Sequence, residues 1–146
     1  MGTSEQVLLQ TTCGKTVSLD SVTERVYIET IQNEEANNRI VTMYTKYEQD
    51  FSATEGVVCM AFAFMRNDHL HFLCVKEQIL QVQKFEAESL PEEDIFFFMW
   101  VEGFGEAGPL VPLAQPSSPV CITDEDYLAT EGLSVLFKII PHPIPV

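Results

Sequence analysis

Apolar and polar residues alternate with a period of two along much of the chain, the pattern of strands with one face turned to a core. Val26-Tyr27-Ile28-Glu29-Thr30-Ile31 reads as a strand. So does Ile40-Val41-Thr42-Met43-Tyr44-Thr45-Lys46-Tyr47, whose β-branched and aromatic residues suit a pleated, half-buried surface. In Val58-Cys59-Met60-Ala61-Phe62-Ala63-Phe64 large side chains alternate with small ones. Such a strand has one bulky and one thin face, as expected where it packs on a crowded core. Asn67-Asp68 marks a turn, and Leu70 to Val75 follows as the return strand. Lys76-Glu77-Gln78 makes the next turn, and Ile79-Leu80-Gln81-Val82-Gln83 alternates again.

Ser89 to Asp94 is a polar connector broken by Pro91. Phe96 to Trp100 is apolar throughout, so both of its faces should be covered. Gly103 to Gly108 is a turn region, and Leu110 to Leu113, Val120 to Thr123 and Leu133 to Ile140 are the last predicted strands. No segment has a convincing helical period; Glu34 to Asn38 is short, polar and Asn-rich, and reads as a loop. Ten to twelve short strands at roughly ten-residue spacing predict an all-β barrel or sandwich. Strand clusters near residues 6–50, 56–98 and 99–140 give a loose threefold beat. One domain is expected over residues 1–140, followed by an extended Pro-rich tail over 141–146.

At 146 residues a single core can bury roughly 70% of the surface exposed by the unfolded chain, so disulfides or metals are not needed for stability. Charge narrows the partners. Twenty-two acidic residues against 8 basic give a formal net charge of −14. This disfavours nucleic acid, heparin-like polyanions and anionic membranes, and favours a basic or neutral partner surface. It also predicts a monomer that resists self-association. The longest apolar runs, Val57 to Met65 and Ile95 to Val101, fall far short of the roughly 20 residues of a membrane-spanning helix, so no membrane insertion is expected. Met1 to Gln6 lacks the basic start and apolar stretch of a signal peptide, and no Asn-x-Ser/Thr sequon occurs. Cys13, Cys59, Cys74 and Cys121 form no CxxC pair and match no zinc spacing; they read as thiols of a protein made in a reducing compartment.

Few constellations could carry chemistry. His69 and His71 form an H-x-H whose rings share one strand face, but zinc wants three or four ligands; a solvated strand face is the simpler reading. Asp124-Glu125-Asp126 lacks the spacing of a calcium loop, and Glu92-Glu93-Asp94 reads as a solvated loop. No Gly-x-Ser-x-Gly elbow and no phosphate loop is present, and Trp100, the one Trp, lies in an apolar run. No catalytic residue, metal or cofactor is therefore expected. The residues point to an acidic β domain that works through its exposed loops.

The order of segments resembles the interleukin-1 family of cytokines. Arg39 to Tyr44, Gly56 to Phe62, Leu70 to Val75 and Ile79 to Val82 follow one another as a Val-rich strand with Met, an apolar strand, a strand of Leu-x-Leu-x-Cys-Val type and a Leu-Gln-Leu-like strand. Pro91 ahead of Phe96-Phe97-Phe98 is similar to the family's Pro-containing loop before a Phe-rich strand. Leu113-Ala114-Gln115-Pro116 is similar to a reduced form of its Phe-Glu-Ser-Ala-x-x-Pro signature, and Ser134 to Lys138 to its closing strand. Three departures stand out. Leu9-Gln10-Thr11 has Thr where the family has Asp, and its place near Met1 suggests a chain that begins close to a mature, trimmed end. Phe98 to Phe137 is short by nearly one strand. Glu131-Gly132 stands where agonists carry an Asp before the last strand.

The resemblance implies a β-trefoil of about twelve strands with pseudo-threefold symmetry. It implies synthesis in the cytoplasm and unconventional release. It also implies an inflammatory signal given by binding an immunoglobulin-like receptor ectodomain and recruiting an accessory chain. The matching receptor-contact regions are Thr11 to Lys15, Lys46 to Asp50, Pro91 to Asp94 and Glu131-Gly132. The candidate contact residues are Thr11, Lys15, Lys46, Tyr47, Glu48, Phe51, Glu92, Glu93, Asp94 and Glu131, with Tyr47 and Phe51 as aromatic anchors. Within the family the alternative is a receptor antagonist; outside it, an intracellular β-barrel scaffold or a carbohydrate-binding module, and remotely an acid-dependent hydrolase.

Overall fold

The structure is a computed structural model that describes residues 4–20, 22–30, 39–46, 57–66, 68–85, 91–101 and 107–141. They form fourteen β-strands, all paired antiparallel, and no α-helix occurs among them. The N-terminal strands are β1 (Ser4–Thr11), β2 (Thr16–Leu19), β3 (Val26–Glu29) and β4 (Val41–Lys46). Three long strands follow: β5 (Val57–Arg66), β6 (His69–Lys76) and β7 (Ile79–Phe85). After a 3-10 turn at Asp94–Phe96 come β8 (Phe98–Val101), β9 (Ala107–Gly108), β10 (Val111–Pro112), β11 (Cys121–Ile122), β12 (Leu128–Ala129), β13 (Leu133–Ser134) and β14 (Phe137–Pro141).

β4 lies between β1 and β5, and β5 pairs β8 over Val57–Met60, β4 over Cys59–Phe64 and β6 over Ala63–Arg66. β10 pairs β8, while β9, just upstream, pairs β14, which returns to β1. Pro109 sits between β9 and β10; without an N–H it cannot continue a ladder, so the segment changes partner there. Three hairpins, β2–β3, β6–β7 and β11–β12, extend from this set, β2 joined to β1 at Thr16 and β6 to β5 over His69–Phe72. Each touches the other two: Arg25 bridges Gln81, Tyr27 bridges Tyr127, and Ala129 pairs Ile79. Each also turns through an acidic residue with positive φ: Glu24 at 62°, Glu77 at 59° and Asp126 at 69°.

The bulky and thin faces of β5 are both buried. Met60, Phe62 and Phe64 point into the main core with Val7, Leu9, Val41, Leu73, Val75, Leu80, Val82, Phe98 and Phe137. Cys59, Ala61 and Ala63 point the other way, into a second cluster with Phe72, Cys74, Phe96 and Phe97. The thin face leaves room for the Pro91–Phe97 segment to lie across the outside of the sheet. Its anchor is Phe96, which meets Phe72 and Phe85 edge-on at 6.4 and 6.2 Å between ring centroids. Such contacts contribute about 0.5–1.5 kcal/mol each beyond area burial.

The strand expected over Phe96 to Trp100 therefore starts only at Phe98. In a strand Phe96 and Phe97 would face opposite sides. The 3-10 turn, closed by Phe97 N–H donating to Asp94 O, buries both rings in the same cluster. The strand expected over Leu133 to Ile140 divides into β13 and β14, because the chain leaves β11 for β1 and β9. The first predicted strand ends at Glu29, and Leu110 to Leu113 contracts to the two residues of β10. β1, β2 and β12 were not legible, and β9 forms within the expected turn region of Gly103 to Gly108. In Thr16-Val17-Ser18-Leu19 all four residues are buried, two of them polar, so the pattern carries no apolar alternation.

Candidate functional site

The hairpins β2–β3 and β11–β12 build a polar and aromatic cluster at their junction. On β2–β3 the pairing puts Thr16, Ser18, Glu29, Tyr27 and Arg25 on the face opposite Val17, Leu19, Val26 and Ile28. Asp20, at the end of β2, holds the turn: its Oδ1 accepts from Val22 N–H at 2.9 Å and Thr23 N–H at 3.5 Å. Its Oδ2 accepts from the Tyr127 hydroxyl at 3.2 Å. These bonds, the one from Val22 first, outweigh desolvation and hold the Asp20 carboxyl below its ordinary value. The Arg25 guanidinium lies over the Tyr127 ring, 4.3 Å from its centroid, and Tyr27 meets Tyr127 edge-on at 6.2 Å.

Charge continues along the same face. The Tyr27 hydroxyl hydrogen-bonds the Glu29 carboxylate, which with burial pushes the phenol up to about 12. Arg39 donates to Glu29 Oε1 through Nε at 3.1 Å and through Nη2, and is itself buried. Burial raises the Glu29 pKa, but the hydrogen bonds from Tyr27 and Arg39 outweigh it and leave the carboxyl below its usual value. Beyond Tyr127, Asp126 approaches Lys15 at 3.9 Å and its carbonyl accepts from Ile28 N–H. The result is a surface of Tyr, Arg and paired charge, with the Tyr and Arg that are enriched in binding hot spots. Nothing in it forms a nucleophile–base pair, and no group of His, Cys, Asp and Glu among the described residues could hold a metal ion.

The sequence-predicted residues distribute unevenly around this cluster. Lys15 joins it through Asp126. Thr11 is buried, and its hydroxyl accepts from Lys15 N–H and contacts the Cys13 thiol, so it shapes the β1–β2 turn. Glu131 is exposed at another hairpin junction, where its carboxylate accepts from Gln78 Nε2 at 3.0 Å. Glu92, Glu93 and Asp94 are exposed along the segment that crosses the β5–β6 face. Lys46 ends β4 opposite Cys59. Tyr47, Glu48 and Phe51 lie outside the described residues. Asp20, Arg25, Tyr27 and Tyr127 were missed. Asp20 and Tyr127 are 107 residues apart in sequence, so no local spacing could have joined them.

His71 corrects one expectation. His69 is exposed, as a solvated strand face requires, but His71 on the same face is 9% exposed. The four cysteines form no disulfide; burial pushes the Cys74 thiol up to about 11 and also raises that of Cys121. The described residues contain no helix long and apolar enough to cross a membrane. No protein-family model and no curated protein matches this chain.

Proposed function

We propose that this chain is a β-trefoil cytokine of interleukin-1 type, which binds an immunoglobulin-like receptor ectodomain and recruits an accessory chain. The observation that carries the reading is the mutual contact of the three hairpins, Arg25 to Gln81, Tyr27 to Tyr127 and Ala129 to Ile79. Three hairpins meeting pairwise is what a pseudo-threefold cap requires. The remaining pairings support it. The sheet is open between β9, which pairs β14, and β10, which pairs β8; in this reading the two are one strand interrupted at Pro109, which would join β1, β4, β5, β8 and β14 into a barrel.

The receptor-facing surface in this reading is the rim of the cap, with Lys15 and the Arg25–Tyr127 cluster at one junction and Glu131 at another. The net charge of −14 over the whole chain suits a basic receptor surface, and complementary charge accelerates encounter. The test is binding of the purified protein to a panel of interleukin-1-family receptor ectodomains at physiological salt. Saturable binding to one of them supports the proposal, and adding the accessory chain sorts agonist from antagonist. Absence of binding to every receptor overturns it. Glu131→Lys then tests recruitment: signalling should be lost with primary binding intact, and loss of primary binding would remove that role for Glu131.

A further inference from the structure

Arg25 stands where the three hairpins meet. It belongs to β2–β3, bridges Gln81 on β7, and lays its guanidinium over the Tyr127 ring of the β11–β12 hairpin, 4.3 Å from the centroid. Partners across a bridge share a face, so Arg25 and Gln81 both point away from the core that receives Val26, Leu80 and Val82. Ile79, 38% exposed and two residues from Gln81 on β7, lies on the same face. None of the hydrogen bonds and ion pairs of the described residues involves the guanidinium, and its Nε is buried without a partner. Arg25 as a whole is half-buried, so an approaching group meets it through the Nη nitrogens. The acidic residues of its own hairpin are engaged elsewhere. Asp20, opposite Arg25, bonds the Val22 and Thr23 N–H groups through Oδ1 and the Tyr127 hydroxyl through Oδ2. Glu29 is held by Arg39 and Tyr27, and Glu24 acts on the His71 ring.

We propose that Arg25, stacked on Tyr127, is the anchor for one carboxylate side chain, an Asp or Glu, of the partner protein. The inference rests on the reading of the cap rim as the receptor-facing surface. A guanidinium fork matches a carboxylate bidentately, and the ring beneath sets its plane before contact, so less rotamer freedom is lost on binding. Tyr127 and Ile79 beside it help to exclude water from the pair. Long-range and local charge then act with opposite signs. The −14 of the whole chain draws in a surface that is basic overall, while Arg25 accepts it only in the register that sets an acidic residue on the fork. A uniformly basic surface would bring like charges together at this point, which selects against wrong partners and wrong registers.

The experiment measures association and dissociation rates of Arg25→Gln and Arg25→Lys on the receptor ectodomain that the panel selects. The direction of the change is diagnostic. Removing a positive charge makes the chain more acidic, so long-range attraction to a basic partner alone would quicken association and tighten binding. The proposal requires the reverse: Arg25→Gln should weaken binding by about tenfold or more, through faster dissociation. Arg25→Lys keeps the charge and loses the fork, and should recover only a small part of that loss. Substitutions on the receptor leave the fold of this protein untouched. One Asp or Glu there, changed to Asn or Gln, should weaken binding of the wild type by a similar factor and binding of Arg25→Gln no further. Unchanged or tighter binding of Arg25→Gln overturns the inference and leaves the receptor reading in place. Full recovery in Arg25→Lys does the same, as does a receptor in which no carboxylate couples to Arg25. Failure of the wild type to bind any receptor removes the receptor reading, and this inference with it.

Discussion

Gly132 should be hard to replace even by Ala. Its φ is +139°, and a Cβ built there would stand 2.3 Å from the Ile122 carbonyl oxygen and 2.9 Å from its carbon. Two costs add in Gly132→Ala. The backbone must be held in a region essentially reserved for glycine, at about 1–3 kcal/mol. The methyl must also push aside the β11 backbone that pairs β13, an overpacking strain of about another 1–3 kcal/mol. The expected loss is therefore about 4 kcal/mol, a large share of the ~5–15 kcal/mol typical of a domain. Gly14→Ala separates the two costs: its φ is +87° and nothing lies within 4 Å of the added Cβ, so strain acts alone, at about 1–2 kcal/mol. Urea unfolding followed by Trp100 fluorescence gives both numbers from midpoints at a common slope. A Gly132→Ala loss within about 1 kcal/mol of that of Gly14→Ala would refute the clash with Ile122 and the close approach of residue 132 to β11.

Three further outcomes are expected. Phe96→Ala should cost about 3–5 kcal/mol in the same assay, because it removes a buried ring that meets Phe72 and Phe85; a loss under 1 kcal/mol would show that the Pro91–Phe97 segment is not anchored there. Glu77→Gly should stabilise by about 0.5–1 kcal/mol, since the side chain is exposed and φ is 59°; destabilisation would mean that the Glu77 side chain holds the turn. Burial first, and Arg66 next, hold His71 below its ordinary pKa, so the unfolded chain binds this proton at higher pH than the folded one. That contribution is complete above about pH 6.5 and is lost as pH falls through the window below it. His71→Gln should flatten the fall in urea midpoint between about pH 6.5 and 5. An unchanged slope in the variant refutes this.

The strands that could be read from sequence are those whose two faces differ in size or polarity. β5 announced its bulky and thin sides through Met60, Phe62 and Phe64 against Cys59, Ala61 and Ala63, and the structure buries both faces. β6 and β7 were bounded by Asp68 and by Glu77-Gln78. β2 escaped because Thr16 and Ser18 are buried polar residues that mimic a loop, and β12 because two residues are too short for any period. Of the residues singled out from the order of segments, Lys15 meets the cluster through Asp126, and Glu131 lies at another hairpin junction. Arg25, Tyr27 and Tyr127 could not be singled out, because the contact between them belongs to the packing of hairpins far apart in sequence. His71 deceived for a related reason: exposure of a strand face is decided by what covers its end, and the sequence of β6 does not record that.

The thin face of β5 has a consequence for the way this protein opens. Pro91 to Phe97 is a strap laid over the sheet, and beneath it lie Cys59 and Cys74 in the same cluster as Phe96. Lifting the strap breaks the aromatic contacts of one short segment and leaves the ladder of β4, β5 and β6 intact. Partial openings of this kind are cheaper than global unfolding. Cys74, a poor nucleophile while covered, then becomes a reporter on the strap: its rate of alkylation measures how often the cover lifts, while the rest of the fold stays shut.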